Sequence, residues 1–213
     1  MRKFTEIDKN ILEVAQKVFI EKGIFKTEMC DIAKCVGCSR STLYRHFNGK
    51  EVIMLYLAIR AIDTILMPMI IPKNLVFSCG YDQLEWQMRC LTKSVCEHVE
   101  EIIFIRDFDC VYTVSYPLIP ETGEFVQLMS APNHFSRTSL KDAMKRGIKD
   151  GSIRNIEDID KVCVTLVHST LAIAERIMPR ETQNVKEHGY GRNLVECTVE
   201  MMLNSLKNDV DII

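Results

Sequence analysis

Apolar residues recur at intervals of three and four positions along most of the chain, and no stretch shows the alternation of apolar and polar residues that a half-buried strand needs. Such spacing gathers the apolar side chains on one side of a helix, so it predicts an all-α protein. The 213 residues include only nine glycines and six prolines, and 47% of them are hydrophobic. The predicted helices therefore have enough apolar surface to bury a core without disulfide staples.

The first fifty residues divide into three helices. Apolar spacing predicts a first helix over residues 5–22. A second helix opens at Thr27 or Glu28 and ends at Gly37, a residue suited to the end of a helix. A third short helix begins after Ser39, which has the chemistry of an N-cap, and ends near Gly49. Two short helices joined by a tight turn predict a helix-turn-helix.

The rest of the chain predicts a helical second part, and the two parts define the predicted domains, residues 1–50 and 51–213. Its predicted helices run from residue 50 to Pro68, over 82–110 as one or two helices, over 121–150 with an interruption at Pro132, over 157–178 and over 190–208. The last two are apolar on more than one side. If the second apolar stripe of such a helix stayed in water, the stabilisation from burial would be lost, about 1.5–3 kcal/mol for each aliphatic side chain. The second apolar side could be covered either by a central position in the core or by a dimer interface. Two such helices in succession favour the interface.

Charge is divided between the two parts. Residues 1–50 hold ten Lys/Arg against six Asp/Glu, a net +4, whereas residues 51–213 carry a net −6. A basic first part on an acidic remainder suggests that the first part meets a polyanion. Charge alone is a weak signal, because charge runs are usually solvated surface.

Composition also bounds the compartment. The N-terminal residues are polar and charged, so we expect no secretory signal. The most apolar patch, residues 65–71, is far shorter than the roughly 20 residues of a membrane span. Nine cysteines are expected to be free thiols in a reducing cytoplasm. We therefore expect a cytoplasmic protein with no membrane partner.

The segment from Ile32 to Glu51 carries a specific combination of residues. Ile-Ala lies in the second helix, Gly at the turn and Ser at the start of the third helix, followed by Thr-Leu-Tyr, His-Phe and Lys-Glu at fixed offsets. This combination strongly resembles the DNA-binding signature of the TetR family of bacterial repressors. The close resemblance covers roughly residues 7–55, and residues 147–160 resemble the segment that leads into the family's dimerising helices.

Three positions depart from the family pattern. Glu28 stands where Thr or Ser is more frequent, and an acid facing phosphate would be repulsive. Cys38 replaces the usual valine and Ser41 a common glycine, and both replacements are tolerable in size. The resemblance implies a DNA-binding regulator, with repression as the family's usual mode.

The residues expected to contact DNA lie mainly on the third helix. Short hydrogen-bonding side chains at its start can approach base edges in the major groove, and Arg40 can match two guanine acceptors. The resemblance implies that Tyr44 and His46 meet the phosphate backbone and that Lys50 reaches a phosphate at a helix start. The predicted DNA-binding residues are Thr27, Ser39, Arg40, Ser41, Thr42, Tyr44, Arg45, His46 and Lys50.

The resemblance further implies a homodimer and a small-molecule effector. Residues 51–180 would form the effector pocket, and its occupation would change the separation of the two DNA-reading helices. We expect the dimer to form through the last two helices, over about 157–178 and 190–208. The candidate lining residues are the large or polar groups Trp86, Met88, Phe104, Phe108, Tyr112 and His168, although residues of this kind are more often plain core.

Two other classes of function compete with this interpretation. Cys30, Cys35 and Cys38 have a spacing compatible with a metal or iron-sulfur site, but no close fourth ligand follows. Cysteines and histidines elsewhere carry no local catalytic signature. We expect no enzyme, no cofactor and no metal site, and we keep as the alternative a redox- or metal-responsive regulator that senses through cysteines.

Overall fold

The computed structural model describes residues 4–129 and 139–208. These residues form eleven α-helices, two 3-10 turns and one isolated antiparallel bridge between Ile153 and Lys207. The α-helices are α1 (Glu6–Lys22), α2 (Met29–Val36), α3 (Arg40–His46), α4 (Lys50–Leu66), α5 (Gly80–Glu97), α6 (Val99–Val111), α7 (Pro120–Met129), α8 (Leu140–Asp150), α9 (Ile159–Ile177), α10 (Glu181–His188) and α11 (Asn193–Asn204). The predicted all-α class is confirmed.

The predicted helix bounds agree closely with the structure at the N-terminus. Thr5 caps α1, and Ser39 caps α3 as the sequence predicts. Residues 82–110 form two helices rather than one, and they meet at His98. The predicted interruption at Pro132 lies outside the described residues. The helix α10 is absent from the predicted set, because its eight residues have little apolar character.

The chain divides into two compact units, of which the first comprises Met1–Asp63 and Ile103–Ser130. Its helices α1, α2 and α3 pack through side chains that are fully buried, among them Ile11, Phe19, Ile32, Leu43 and Phe47. The ring of Phe19 lies 6.0 Å from that of Phe104, so α6 shares this core. The predicted division into residues 1–50 and 51–213 remains a prediction.

The second unit comprises Thr64–Ile102 and Ala131–Ile213. Within it α5 approaches α8 so closely that a Cβ added to Gly80 would lie 2.0 Å from the backbone nitrogen of Gly147. The start of α5 is held by the last residue of α8 and by the segment that follows it. The amide of Gly80 donates to Asp150 Oδ2 at 2.7 Å, and the amide of Tyr81 donates to Ser152 Oγ at 3.0 Å.

The helices α9 and α11 pack against each other in the second unit and bury one side each. Their remaining apolar side chains are less well covered. Val164 and Leu171 of α9 are half-buried, whereas Cys197 and Met201 of α11 are exposed, the latter by 68%. Within residues 4–129 and 139–208, part of the surface of these two helices is therefore uncovered.

Two helical stretches in the described part of the chain are long and apolar enough to span a bilayer, Lys50–Met69 and Ile159–His188. The criterion uses length and composition alone, and core helices of soluble proteins satisfy it equally. In the first stretch 61% of the most apolar window is buried within the protein. This burial favours a packing role for that helix.

Candidate nucleic-acid interface

The helix α3 is built around its N-cap. Ser39 Oγ accepts a hydrogen bond from the amide of Thr42 at 3.0 Å, which satisfies one of the free donors at the helix start. The same hydroxyl lies 2.9 Å from Ser41 Oγ and 2.9 Å from Thr42 Oγ1. These three hydroxyl groups form a compact polar cluster at the beginning of α3.

The two sides of α3 differ sharply. Leu43 and Phe47 are 0% exposed and anchor the helix in the core of the first unit. Four residues on the remaining surface are exposed, and Thr42 and His46 are half-buried. The exposed residues are Arg40, Ser41, Tyr44 and Arg45. The solvent-exposed surface of α3 is therefore polar and basic, and the other side of the helix packs into the apolar core.

Arg40 and Tyr44 lie one turn apart and interact. The guanidinium carbon of Arg40 is 5.5 Å from the centre of the Tyr44 ring. Hydrogen bonding to Tyr44 raises the pKa of Arg40, so its charge is secure. A planar cation with several donors has the geometry to match two acceptors on a guanine.

His46 is held from the first helix. Its Nδ1 lies 2.9 Å from Oδ1 of Asp8, a carboxylate in a residue only 1% exposed. The other oxygen of Asp8 accepts from both the amide and the hydroxyl of Thr5, each at 2.8 Å. Asp8 therefore joins the start of α1 to the end of α3. Sequence reasoning missed this contact, although the Thr5–Asp8 spacing of a capping box was a visible signal.

Lys50 begins α4 and is half-buried. Its ammonium donates to the carbonyl of Ile24 at 3.2 Å, which ties α4 to the loop between α1 and α2. An approaching phosphate would compete with this single carbonyl contact.

Thr27 is the one predicted contact residue whose side chain is inaccessible. It is 0% exposed, and its hydroxyl donates to the carbonyl of Gly23 at 2.8 Å. The threonine therefore stabilises the loop before α2, and the structure gives no support for a contact between its side chain and phosphate. The neighbouring Glu28 is exposed, and its amide donates to Asp31 Oδ2 at 2.8 Å.

The residues predicted to line an effector pocket fall into two sets. In the first unit, Phe104 and Phe108 are buried and Tyr112 is half-buried. The Phe108 and Tyr112 rings lie 4.9 Å apart, and burial raises the pKa of Tyr112 to about 12. Its hydroxyl therefore stays protonated at neutral pH and can act as a donor.

The other three candidates lie in the second unit. Met88 is 0% exposed, and the ring of Trp86 lies 5.7 Å from that of Phe77. His168 is exposed on α9. Its exposure favours a surface role over the pocket lining that the sequence suggested.

The cysteines are all free thiols. Burial raises the pKa of both Cys96 and Cys163 to about 11, so these two groups hold little thiolate at neutral pH. Over residues 4–129 and 139–208 no group of three or more His, Cys, Asp or Glu side chains is arranged to hold a metal ion.

The helix-turn-helix geometry coincides with a family match. Residues 11–57 match the model of the bacterial regulatory proteins of the tetR family. This N-terminal segment is therefore similar to the DNA-binding region of the TetR family. Members of the TetR family are DNA-binding transcription regulators rather than enzymes.

Curated relatives match a short part of the chain. An uncharacterized HTH-type transcriptional regulator of Mycobacterium tuberculosis is 42% identical over 43 residues, which is 20% of this chain and 21% of that protein. TtgR of Pseudomonas putida, an HTH-type transcriptional regulator, is 40% identical over 40 residues, 19% of each chain. The chain thus spans about a fifth of the length of these relatives.

Solved TetR-family structures match nearly the whole fold. A bacterial regulatory protein of the tetR family from Rhodococcus has a TM-score of 0.72 at 16% identity and covers 96% of this chain and 99% of its own. PfmR from Thermus thermophilus has a TM-score of 0.66 at 22% identity, with coverage of 91% and 97%. At these identities the likeness concerns the fold, and it extends the TetR architecture beyond the helix-turn-helix.

Proposed function

We propose that this protein is a cytoplasmic, homodimeric transcription regulator that represses from a palindromic operator and is released by a small-molecule ligand. The observation that carries the proposal is the exposed polar surface of α3, which rests on the buried Leu43 and Phe47 inside a segment that matches the TetR family. An exposed helix with this support has the shape and charge to enter a major groove.

Each exposed residue of α3 has a chemical role in this proposal. Arg40 reads a guanine through its two-donor edge, after giving up its position beside Tyr44. Ser41 and Ser39 approach base edges or phosphates through short hydroxyl groups. Tyr44 and Arg45 meet the phosphate backbone.

His46 and Lys50 contribute from the edge of the same surface. Asp8 orients the imidazole of His46, so little side-chain freedom is lost when the ring meets a phosphate. Lys50 exchanges its contact with the carbonyl of Ile24 for a phosphate, aided by the free amides at the start of α4.

A palindromic operator requires two copies of α3. In a homodimer the two helices enter successive major grooves on one side of DNA, about 34–36 Å apart. The uncovered surfaces of α9 and α11, including the exposed Met201, support a dimer through these helices. Pairing them would bury apolar surface that a single chain leaves in water.

Release by a ligand follows from linkage. A small molecule lowers operator affinity only if it binds more tightly to a state whose two α3 helices are wrongly spaced. The ring cluster of Phe104, Phe108 and Tyr112 offers apolar surface and a protonated hydroxyl for such a ligand.

The proposal is tested by selection of bound sequences from random duplex DNA at two salt concentrations. We expect a palindrome to be enriched and its binding to weaken steeply with salt, because phosphate contacts release counterions. Arg40→Ala and Tyr44→Ala should reduce the enrichment. Lys17→Ala, which removes one exposed charge from α1, is the matched control and should leave it unchanged. Absence of any enriched sequence would overturn the proposal.

A further inference from the structure

The exposed side of α9 carries unpaired positive charge. Residues at intervals of three and four lie along it, namely Lys161, Thr165, His168, Ala172 and Arg176. Lys161 and Arg176 form no ion pair with any residue that the structure describes, whereas Lys141 and Arg180 nearby are each paired with an acid. We call this set of five residues the basic stripe.

The exposed side of α11 carries two acids that interact with nearby cations only at longer range, Glu200 with Arg89 and Glu196 with Arg192. Glu196 and Glu200 lie one turn apart, and neither forms an ion pair within the described ranges of the chain. Next to them lie Cys197 and Met201, both exposed. The α11 surface thus combines an acidic pair with apolar neighbours.

The acidic pair borders a groove of about 250 Å³ between α5 and α11, inside the second unit. Thr92, Val199 and Leu203 line it and are almost wholly buried. Arg89 lines it too, but the guanidinium is already paired with Glu85, at 2.7 Å. The charge that lines the groove is therefore net negative, and Val199 and Leu203 add apolar surface to its floor. This combination suits a long cationic side chain, which needs an apolar surface for its stem and an acid for its end.

We propose that the basic stripe of one copy of this chain pairs with Glu196 and Glu200 of a second copy, so that reciprocal ion pairs hold the dimer. This inference rests on the homodimer of the proposed function and specifies the chemistry of its interface. A second copy is the fitting occupant because one chain carries both surfaces, on two helices that pack against each other. A two-fold axis would satisfy both surfaces twice, since each copy supplies the partner of the other.

Such an interface differs from a purely apolar one in its response to salt. Ala172 and Met201 supply some apolar contact, but exposed ion pairs are screened over about 8 Å at physiological ionic strength. The dimer should therefore dissociate more readily as salt is raised. The same charges also disfavour a dimer in which α9 lies against α9 and α11 lies against α11, since like charges would then face each other.

Charge reversal tests the pairing in the full-length protein by sedimentation equilibrium. The acid-reversed variant carries Glu196→Lys and Glu200→Lys, and the base-reversed variant carries Lys161→Glu and Arg176→Glu. Each variant alone places like charges across the two-fold axis, so we expect its dimer dissociation constant to rise about tenfold or more. An equimolar mixture of the two should restore dimers, because both reciprocal pairs then face opposite charges again.

The control variant carries Lys145→Glu and Lys149→Glu on α8, which change net charge as much as the base-reversed variant at exposed positions off the stripe. It should dimerise like the parent. Circular dichroism confirms that each variant is folded, and the mixing experiment requires folded partners. Parent-like dimerisation of both reversed variants, or failure of the mixture to form dimers, would overturn the ion pairing while leaving the dimer intact. A parent that is monomeric at all concentrations would overturn both, and DNA selection then tests the remainder of the proposed function.

Discussion

The helices α3 and α11 both expose side chains at helical spacing, yet their sequences differ in how clearly they indicate a function. Residues 11–57, which include α3, match the TetR family model, and stretches of 40 and 43 residues are 40% and 42% identical to curated regulators, whereas two solved structures that share the fold are only 16% and 22% identical. DNA presents the same phosphates and base edges to every such protein, so the residue types that meet it are restricted. A dimer surface has only to complement itself and can do so with many sequences.

The two regions also differ in their support. α3 rests on Leu43 and Phe47, which are wholly buried, and its cap and the Asp8–His46 contact fix both of its ends. α11 buries Val195 and Val199 on one side and leaves Met201 in water. The first arrangement is complete within one chain, whereas the second needs a covering surface.

The largest effect should come from removing the base of α3. We expect Leu43→Ala to lower the free energy of unfolding by about 2–5 kcal/mol, because it opens a cavity in a filled core. Urea denaturation measures the change. Met201→Ala is the matched truncation on α11 and should change the stability of the monomer by no more than about 0.5 kcal/mol. Equal losses of unfolding free energy in the two variants would contradict the difference in burial between Leu43 and Met201.

A second prediction concerns the contact of α5 with α8. Gly80→Ala should destabilise the protein by about 1–3 kcal/mol, since the new methyl group would meet backbone atoms of Gly147 that cannot move aside. Gly123→Ala has open space around its Cβ and should be neutral or gain up to about 1 kcal/mol from helix propensity. Thermal unfolding compares the pair, and a neutral Gly80→Ala would show that the two helices are not in close contact.

The smallest effect should be a pH dependence centred on Asp150. Hydrogen bonds, foremost from Ser152 and then from the amide of Gly80, lower the pKa of this carboxyl below its usual 3.8. A lowered pKa means that the stabilisation is complete above the unfolded value and is lost as the pH falls through the folded one. Asp150→Asn should therefore reduce the fall in melting temperature between about pH 5 and pH 2.

Asp142→Asn on the same helix is the control for this prediction. It removes an exposed carboxyl that neither Ser152 nor Gly80 contacts. An identical acid response in Asp150→Asn and the parent protein would contradict the assigned hydrogen bonds.

The sequence could predict the helices whose apolar spacing and caps agree. α1 and α3 begin next to Thr5 and Ser39 because these hydroxyl groups satisfy the first free amides. The helix α10 could not be predicted in this way, since its one aliphatic residue, Val185, is exposed. Contacts distant in sequence stabilise it instead, such as the pairing of Glu181 with Arg192.

In the candidate DNA-binding site, too, some features could be predicted from the sequence and others could not. The exposed polar residues of α3 could be predicted because helical spacing separates them from Leu43. The burial of Thr27 could not, since a threonine beside a helix start is equally suited to bind phosphate or to close its own loop. The structure shows the second, with the hydroxyl bonded to Gly23. The hold of Asp8 on His46 depends on packing between helices 38 residues apart, which periodicity does not report.

The central claim is that α3 reads a DNA sequence, and fluorescence anisotropy tests it most directly. The affinity of the protein for its selected duplex is measured beside a permuted duplex of the same length, with Arg40→Ala and Lys17→Ala as the paired variants. We predict that Arg40→Ala weakens binding to the selected duplex by about 5- to 150-fold, which corresponds to about 1–3 kcal/mol. The same substitution should reduce the ratio of the affinity for the selected duplex to that for the permuted duplex, whereas Lys17→Ala should leave this ratio unchanged. Equal affinity of the parent protein for the two duplexes would contradict the account.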